Sequence, residues 1–141
     1  MITCVLLLIS FSSTLYFMIR YHPNEAVYFN KLAGADMQTV KKRFDMDYWG
    51  VSYYQGIKYI AEIDKSDDIY LYVTSLAGKY NTYMLVASEM DRFIIDDNVE
   101  DSEYFISDYR WHPDEFDYPN EIFNVMVGNA KIMVVYKLID N

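Results

Sequence analysis

Phe123-Asn124-Val125-Met126-Val127-Gly128-Asn129-Ala130-Lys131-Ile132-Met133-Val134-Val135-Tyr136 is the stretch on which the fold class turns. Two runs rich in apolar, β-forming residues flank Gly128-Asn129, a pair that tolerates the positive φ of a tight turn. A β-hairpin is therefore predicted, with strands at 123–127 and 131–136. Upstream, Tyr104 to Tyr109 predicts another strand, Phe93-Ile94-Ile95 a short one, and Ile69-Tyr70-Leu71-Tyr72-Val73-Thr74 an alternating one. Between and before them lie helical patterns. Trp49, Tyr53, Ile57, Ile60 and Ala61 recur on one helical face, and Ser52 and Gln55 have capping-box spacing, predicting a helix over 49–64 closed by Asp67-Asp68. A second helix is predicted from Ser75, as its cap, to Ser88, with Tyr80, Tyr83, Met84 and Ala87 on its packed face and Gly78 weakening it. Phe44-Asp45-Met46-Asp47 alternates like a short strand after the basic run Lys41-Lys42-Arg43. Together these elements make an α/β domain, with α+β as the variant: a small mixed sheet, packed helices and a C-terminal β-hairpin.

The chain's 141 residues suit one compact domain. A 52% hydrophobic and 18% aromatic composition excludes a disordered tail, because so much apolar surface can offset the entropy of ordering. Twelve basic against 21 acidic side chains, for a net charge of −9, argue against a nucleic-acid partner, which is held by clustered Lys and Arg. The single cysteine, Cys4, cannot form an internal disulfide and reads as an apolar residue in an apolar segment.

That segment runs from Ile2 to Ile19 without a charge. As a helix it would cover about 27 Å, close to the ~30 Å hydrocarbon core of a bilayer, which predicts a transmembrane helix at 1–20 and membrane lipid as a partner. Tyr16, Phe17 and Tyr21 stand where an interfacial aromatic belt would lie. A cleaved signal peptide is the rival, but it would need a basic start and a small-x-small cleavage site. In an isolated single-pass protein, Arg20 and Lys31 after the span would favour a cytoplasmic C-terminus. In a polytopic protein earlier helices set the orientation. Pro23 ends the span and is suited to begin a short new helix.

Several constellations invite chemistry. Seven carboxylates between Glu89 and Glu103 suggest Ca²⁺, yet counting from Asp96 puts Asp101 at the position an EF-hand reserves for glycine and Ser107 where it needs glutamate. A solvated acidic loop is the expected role. Arg20-Tyr21-His22-Pro23-Asn24-Glu25 echoes Arg110-Trp111-His112-Pro113-Asp114-Glu115, but neither has metal-ligand spacing, and a turn device used twice accounts for both. The sequence contains no Gly-x-Ser-x-Gly elbow, no catalytic cysteine outside the apolar segment and no glycine-rich phosphate loop, so no catalytic, metal or cofactor-binding residue is assigned. The 15 tyrosines could stack on sugar rings, although packing is their commoner use.

One stretch says more. His22-Pro23-Asn24-Glu25-Ala26-Val27-Tyr28-Phe29-Asn30-Lys31-Leu32-Ala33-Gly34, followed by Phe44-Asp45-Met46-Asp47-Tyr48-Trp49-Gly50-Val51-Ser52-Tyr53, comes directly after the apolar helix. It resembles the C-terminal region of polytopic membrane glycosyltransferases, the group of the protein O-mannosyltransferases and the lipid A aminoarabinose transferases. Ala35 departs from the pattern, where a second glycine is often found. The resemblance implies a last transmembrane helix at 1–20, a connecting segment at 21–43 and an extracytoplasmic α/β domain at 44–141. It also implies an enzyme that moves a sugar from a polyprenyl-phosphate donor, with a membrane-embedded glycosyltransferase body or other membrane protein as partner. The group's acidic catalytic residue belongs to an early loop with no counterpart here, so the implied role of this chain is non-catalytic. The motif residues Asp47, Tyr48, Trp49 and Gly50, with Tyr28 and Asn30, are the candidate site. Asp47 would bond free N–H groups at a helix start, Trp49 would anchor helix to sheet, and Gly50 would permit a close approach; contact with substrate or lipid carrier is the other role. The alternative function is a stand-alone, single-pass interaction module; a small hydrolase or metal-binding protein is a third.

Overall fold

The computed structural model describes residues 2–138. Helix α1 (Ile2–Tyr21) is followed by a single-turn 3₁₀ helix (Glu25–Val27), α2 (Met37–Lys41) and α3 (Tyr53–Ile63). Next come β1 (Ile69–Val73), α4 (Leu76–Thr82), α5 (Ala87–Met90), β2 (Phe93–Asp96), β3 (Tyr104–Ser107), β4 (Glu121–Val127) and β5 (Ala130–Lys137). The five strands form one mixed sheet in the order β2-β1-β3-β5-β4. β1 runs parallel to both β2 and β3, while β5 runs antiparallel to β3 and β4.

Strand alternation sorts the side chains into two apolar layers. Tyr104, Ile106, Met133 and Val135 point into the main core with Ile57, Ile60, Ile69 and Leu71, whereas Phe105, Val134 and Tyr136 face the other way, onto Phe116 and Tyr118. β5 sits between β3 and β4 and is covered on both faces, so Ile132 to Tyr136 are buried without interruption. Its hairpin partner turns at Gly128, whose φ of 61° suits a residue without a Cβ. α3 lies against the first layer, and Gly56 lets it come close: a Cβ there would stand 2.5 Å from Ile106 Cδ1. Val27 and Val40, from the segment after α1, are buried in the same core.

The mixed α/β architecture and the C-terminal hairpin match the sequence expectation; several local elements do not. Residues 44–47 form no strand. Met46 and Asp47 are buried side by side rather than alternately, and the chain turns there because Asp47 collects the N–H groups of Val51 and Ser52. Helix α3 starts at Tyr53, not at 49, because Gly50 is left-handed at φ 64° and cannot belong to it. The expected capping box is absent: Ser52 Oγ bonds Asp47 instead, and the Gln55 side chain donates to Asn24 Oδ1 at 2.9 Å. Helix α3 ends at Ile63, where Asp64 is already extended, well before Asp67.

The helix expected over 75–88 is two short ones, and its packed face is inverted. Tyr80, Tyr83 and Met84 are exposed, whereas Gly78, Asn81 and Thr82 are buried. Asn81 faces inward because its Nδ2 donates to Gly50 O across to the Asp47 turn. Ser75 makes no side-chain cap; its hydroxyl points to Tyr53 OH at 3.4 Å. The strand expected through Tyr109 stops at Ser107, and Pro23 precedes its 3₁₀ helix by two residues instead of opening it.

Candidate functional site

The parallel strands supply the framework. From β1 the chain crosses outward to β2 and then returns over β1 to β3, so the connections after β1 and after β3 diverge and open the sheet's carboxyl edge. Thr74 and Ser75 follow β1 there, Asp96 ends β2 and is followed by Asp97, and Ser107 ends β3 and is followed by Asp108. A cleft of about 380 Å³ is lined at this edge by Thr74, Ser75, Lys79, Asp96 and Asp97.

The Asp47-Tyr48-Trp49-Gly50 turn closes over the same edge. Asp47 Oδ1 accepts from Val51 N at 3.0 Å and Oδ2 from Ser52 N at 2.8 Å, holding the N–H groups that precede α3. Gly50 lies so close to α4 that a Cβ would stand 2.5 Å from Ala77 Cβ. Asp47 and Gly50 thus have the structural parts expected of them. Trp49 does not: it is 74% exposed and touches Tyr48 rather than the sheet. Tyr53, one turn on, links α3 to the sheet in its place. Its hydroxyl lies 2.9 Å from Thr74 Oγ1 and 3.3 Å from Asp108 Oδ1.

Asp108 is the most unusual group here. It is 4% exposed, its Oδ1 accepts from Arg110 N at 3.2 Å, and its Oδ2 is buried with no hydrogen-bond partner among the described residues. Burial raises its pKa to about 6; the Arg110 N–H opposes this and the Asp47 carboxylate reinforces it. Burial and the Asp108 charge together push the Tyr53 hydroxyl well above the usual tyrosine range. Beyond Asp108 the chain is contorted, with Tyr109 at φ 59° and Trp111 at φ 61°. Left-handed aromatic residues are costly and persist only where their surroundings hold them. Tyr109 N donates to Ser107 Oγ and Trp111 N to Asp45 Oδ1. Tyr109 is clamped further: its ring carries Lys41 Nζ at 3.2 Å, and its hydroxyl donates to Glu115 at 2.6 Å.

The result is an exposed platform. The Arg110 guanidinium stacks on Tyr48 at 4.2 Å and on Trp111 at 4.3 Å, and Trp111 is 73% exposed, like Trp49. Planar aromatic faces beside a guanidinium suit a sugar, a phosphate or a lipid headgroup. The free oxygen of Asp108 is closed to solvent and does not face a ligand seated there. Exposure also sets an expectation for Trp49→Ala: unfolding in denaturant should shift by less than about 0.5 kcal/mol, as for surface residues generally. A helix-to-sheet anchor would cost several times more.

The other candidates lie apart from this platform. The Tyr28 hydroxyl accepts from Thr14 Oγ1 on α1, and Asn30 accepts Leu32 N within its own loop. His22 pairs with Glu25, while His112 stacks on Phe116 at 4.4 Å, so the two His-Pro segments serve different neighbourhoods. In the acidic loop Glu89 pairs with Arg92, and Asp96 and Asp101 bond Asn98. Among the described residues no group of three or more His, Cys, Asp or Glu side chains converges as metal ligands would. Sequence reasoning missed Asp108, Arg110 and Tyr53 as site residues. The available signal was the polar pair Ser107-Asp108 ending a β run, the usual place for a site in a parallel sheet. No protein-family model, curated protein or solved structure matches this chain.

Proposed function

We propose that this chain is the terminal membrane span and extracytoplasmic α/β domain of a membrane glycosyltransferase that uses a polyprenyl-phosphate-sugar donor. Its role there is to shape access to the donor or acceptor while a membrane-embedded body performs the transfer. α1 supports the membrane part: it is 20 residues long, apolar and has no buried residue. One observation carries the rest. The hydrogen bond from Gln55 to Asn24 ties the exit of α1 to the first turn of α3, and that turn abuts the carboxyl edge through Tyr53. The Tyr48–Arg110–Trp111 platform is therefore at the end of the domain where α1 enters, the end a membrane-embedded partner or lipid-linked sugar would approach.

The test is to translate the DNA upstream of Met1 in frame. An open frame through several apolar segments of span length supports the proposal. An in-frame stop codon just upstream overturns it in favour of a stand-alone, membrane-anchored interaction module, for which the same platform would be the docking face.

A further inference from the structure

We propose that the loop between α1 and α3 is itself a membrane-docking surface, seated in the headgroup layer of an anionic bilayer beside α1. The inference rests on α1 being a membrane span, and it goes beyond the glycosyltransferase assignment.

Charge distribution is the first observation. Residues 20–43 carry five basic and two acidic side chains, whereas residues 44–141 carry seven basic and nineteen acidic. A protein of net charge −9 thus has a net +3 stretch immediately after its apolar helix, and everything beyond it is strongly negative. The exposed members are Arg20, Lys31, Lys42 and Arg43, while Lys41 is buried. Basic side chains next to a span are attracted by anionic headgroups, and the effect decays within a Debye length, so only those close to the membrane plane count.

Geometry puts them close. Along α1 only Thr14, Phe17 and Tyr21 of its C-terminal half are partly covered, a stripe on one helical face. Phe17 packs edge-on against Tyr28 at 5.1 Å, and Thr14 reaches the Tyr28 hydroxyl at 3.1 Å. Thr14 is seven residues before the end of α1, or about 10 Å along its axis. With α1 spanning a ~30 Å core, the Tyr28 hydroxyl reaches about 10 Å below the end of the span, so the loop that carries it is held against the membrane.

Phe29, next in the chain, lies 5.3 Å from Phe44, and Arg43 Nη1 donates to Ala33 O at 3.5 Å, so residues 29–33 and 43–44 form one surface. Leu32 projects from it, 95% exposed, and Phe44 is 46% exposed. In water such a leucine gains nothing. Beside lysine and arginine at the edge of a bilayer it is an interfacial anchor.

The test uses the full chain in a Cys4→Ser background with one cysteine at a time, Ser10→Cys, Leu32→Cys or Asp67→Cys, each carrying a polarity-sensitive fluorophore. Vesicles are phosphatidylcholine alone or mixed with phosphatidylglycerol, with nitroxide lipids as depth quenchers and iodide as the aqueous one. The expected result is a Ser10 label shielded in both vesicles and an Asp67 label open to iodide. The Leu32 label should be quenched by headgroup-level nitroxides and shielded further by phosphatidylglycerol. Combining Lys31→Glu, Lys42→Glu and Arg43→Glu should lower the docked-to-undocked ratio at Leu32 on the order of a hundredfold, with Ser10 unchanged. A Leu32 label as open to iodide as Asp67, while Ser10 stays shielded, overturns the docking surface and leaves the span standing. An iodide-accessible Ser10 overturns the span and the docking surface with it.

Discussion

Replacing Gly50 with valine should destabilise the domain by on the order of 2–5 kcal/mol, a large share of the 5–15 kcal/mol that typically separates folded from unfolded. Two independent effects add. A φ of 64° is open to glycine but costs a β-branched residue heavily. The new side chain would also meet Ala77 Cβ at 2.5 Å and the Tyr53 ring at 3.0 Å, inside the packed contact between the Asp47 turn and α4. Denaturant unfolding of the detergent-solubilised chain would measure the loss. The effects can be separated, since Gly50→Ala keeps much of the strain with a smaller side chain, and Ala77→Gly makes room for it. The double variant should recover about 1 kcal/mol relative to the sum of the singles. Simple additivity would mean that Gly50 is needed for its backbone angle alone.

Asp108→Asn should stabilise the protein above pH 7 by up to about 3 kcal/mol and flatten its stability between about pH 4 and pH 6. The carboxyl's pKa is raised to about 6 in the folded state from an ordinary 3.8, so the folded protein binds the proton more tightly than the unfolded chain. Stability contributed by the protonated group is fully present below the unfolded pKa. It is lost as pH rises through the folded value, and above it a buried, unpartnered oxygen carries charge. Asparagine keeps an acceptor for Arg110 N and the Tyr53 hydroxyl and removes that charge. Urea unfolding at pH 4.5, 6 and 8 would test this: the wild-type chain should weaken across the series relative to the variant. A difference that does not vary with pH would mean that Asp108 does not titrate in this range.

The fold was legible where a local signal and the tertiary arrangement agreed. The hairpin around Gly128-Asn129, the strands after Ile69 and Phe93, and α3 from Tyr53 onward carried periodicity that packing then used. Legibility failed where a side chain found a better partner far away in sequence. Phe44 to Asp47 alternates like a strand, yet Asp47 gains more from the orphan N–H groups before α3. Tyr80, Tyr83 and Met84 form a respectable apolar face, but the contact with Gly50 needs Asn81 and Gly78 inward, which turns the tyrosines out. A helix has one inward face, and the tightest contact takes it.

The candidate site divides in the same way. Asp47 could be given its part from sequence, because capping is a short-range device that a few residues specify, and Gly50 could be expected to permit a close approach, though not to α4 in particular. The burial of Asp108 beside Tyr53, the stacking of Arg110 between Tyr48 and Trp111, and the reach of Tyr28 back to Thr14 span 14 to 62 residues. No local pattern encodes such distances. By itself the sequence determined the apolar helix, the α/β class and the turn chemistry, since these follow from composition, periodicity and the φ tolerance of particular residues. Tertiary structure alone decided which carboxylate is buried with one oxygen unpartnered among the described residues and which aromatics face solvent. Those outcomes depend on how the sheet's parallel strands bring distant loops to one edge.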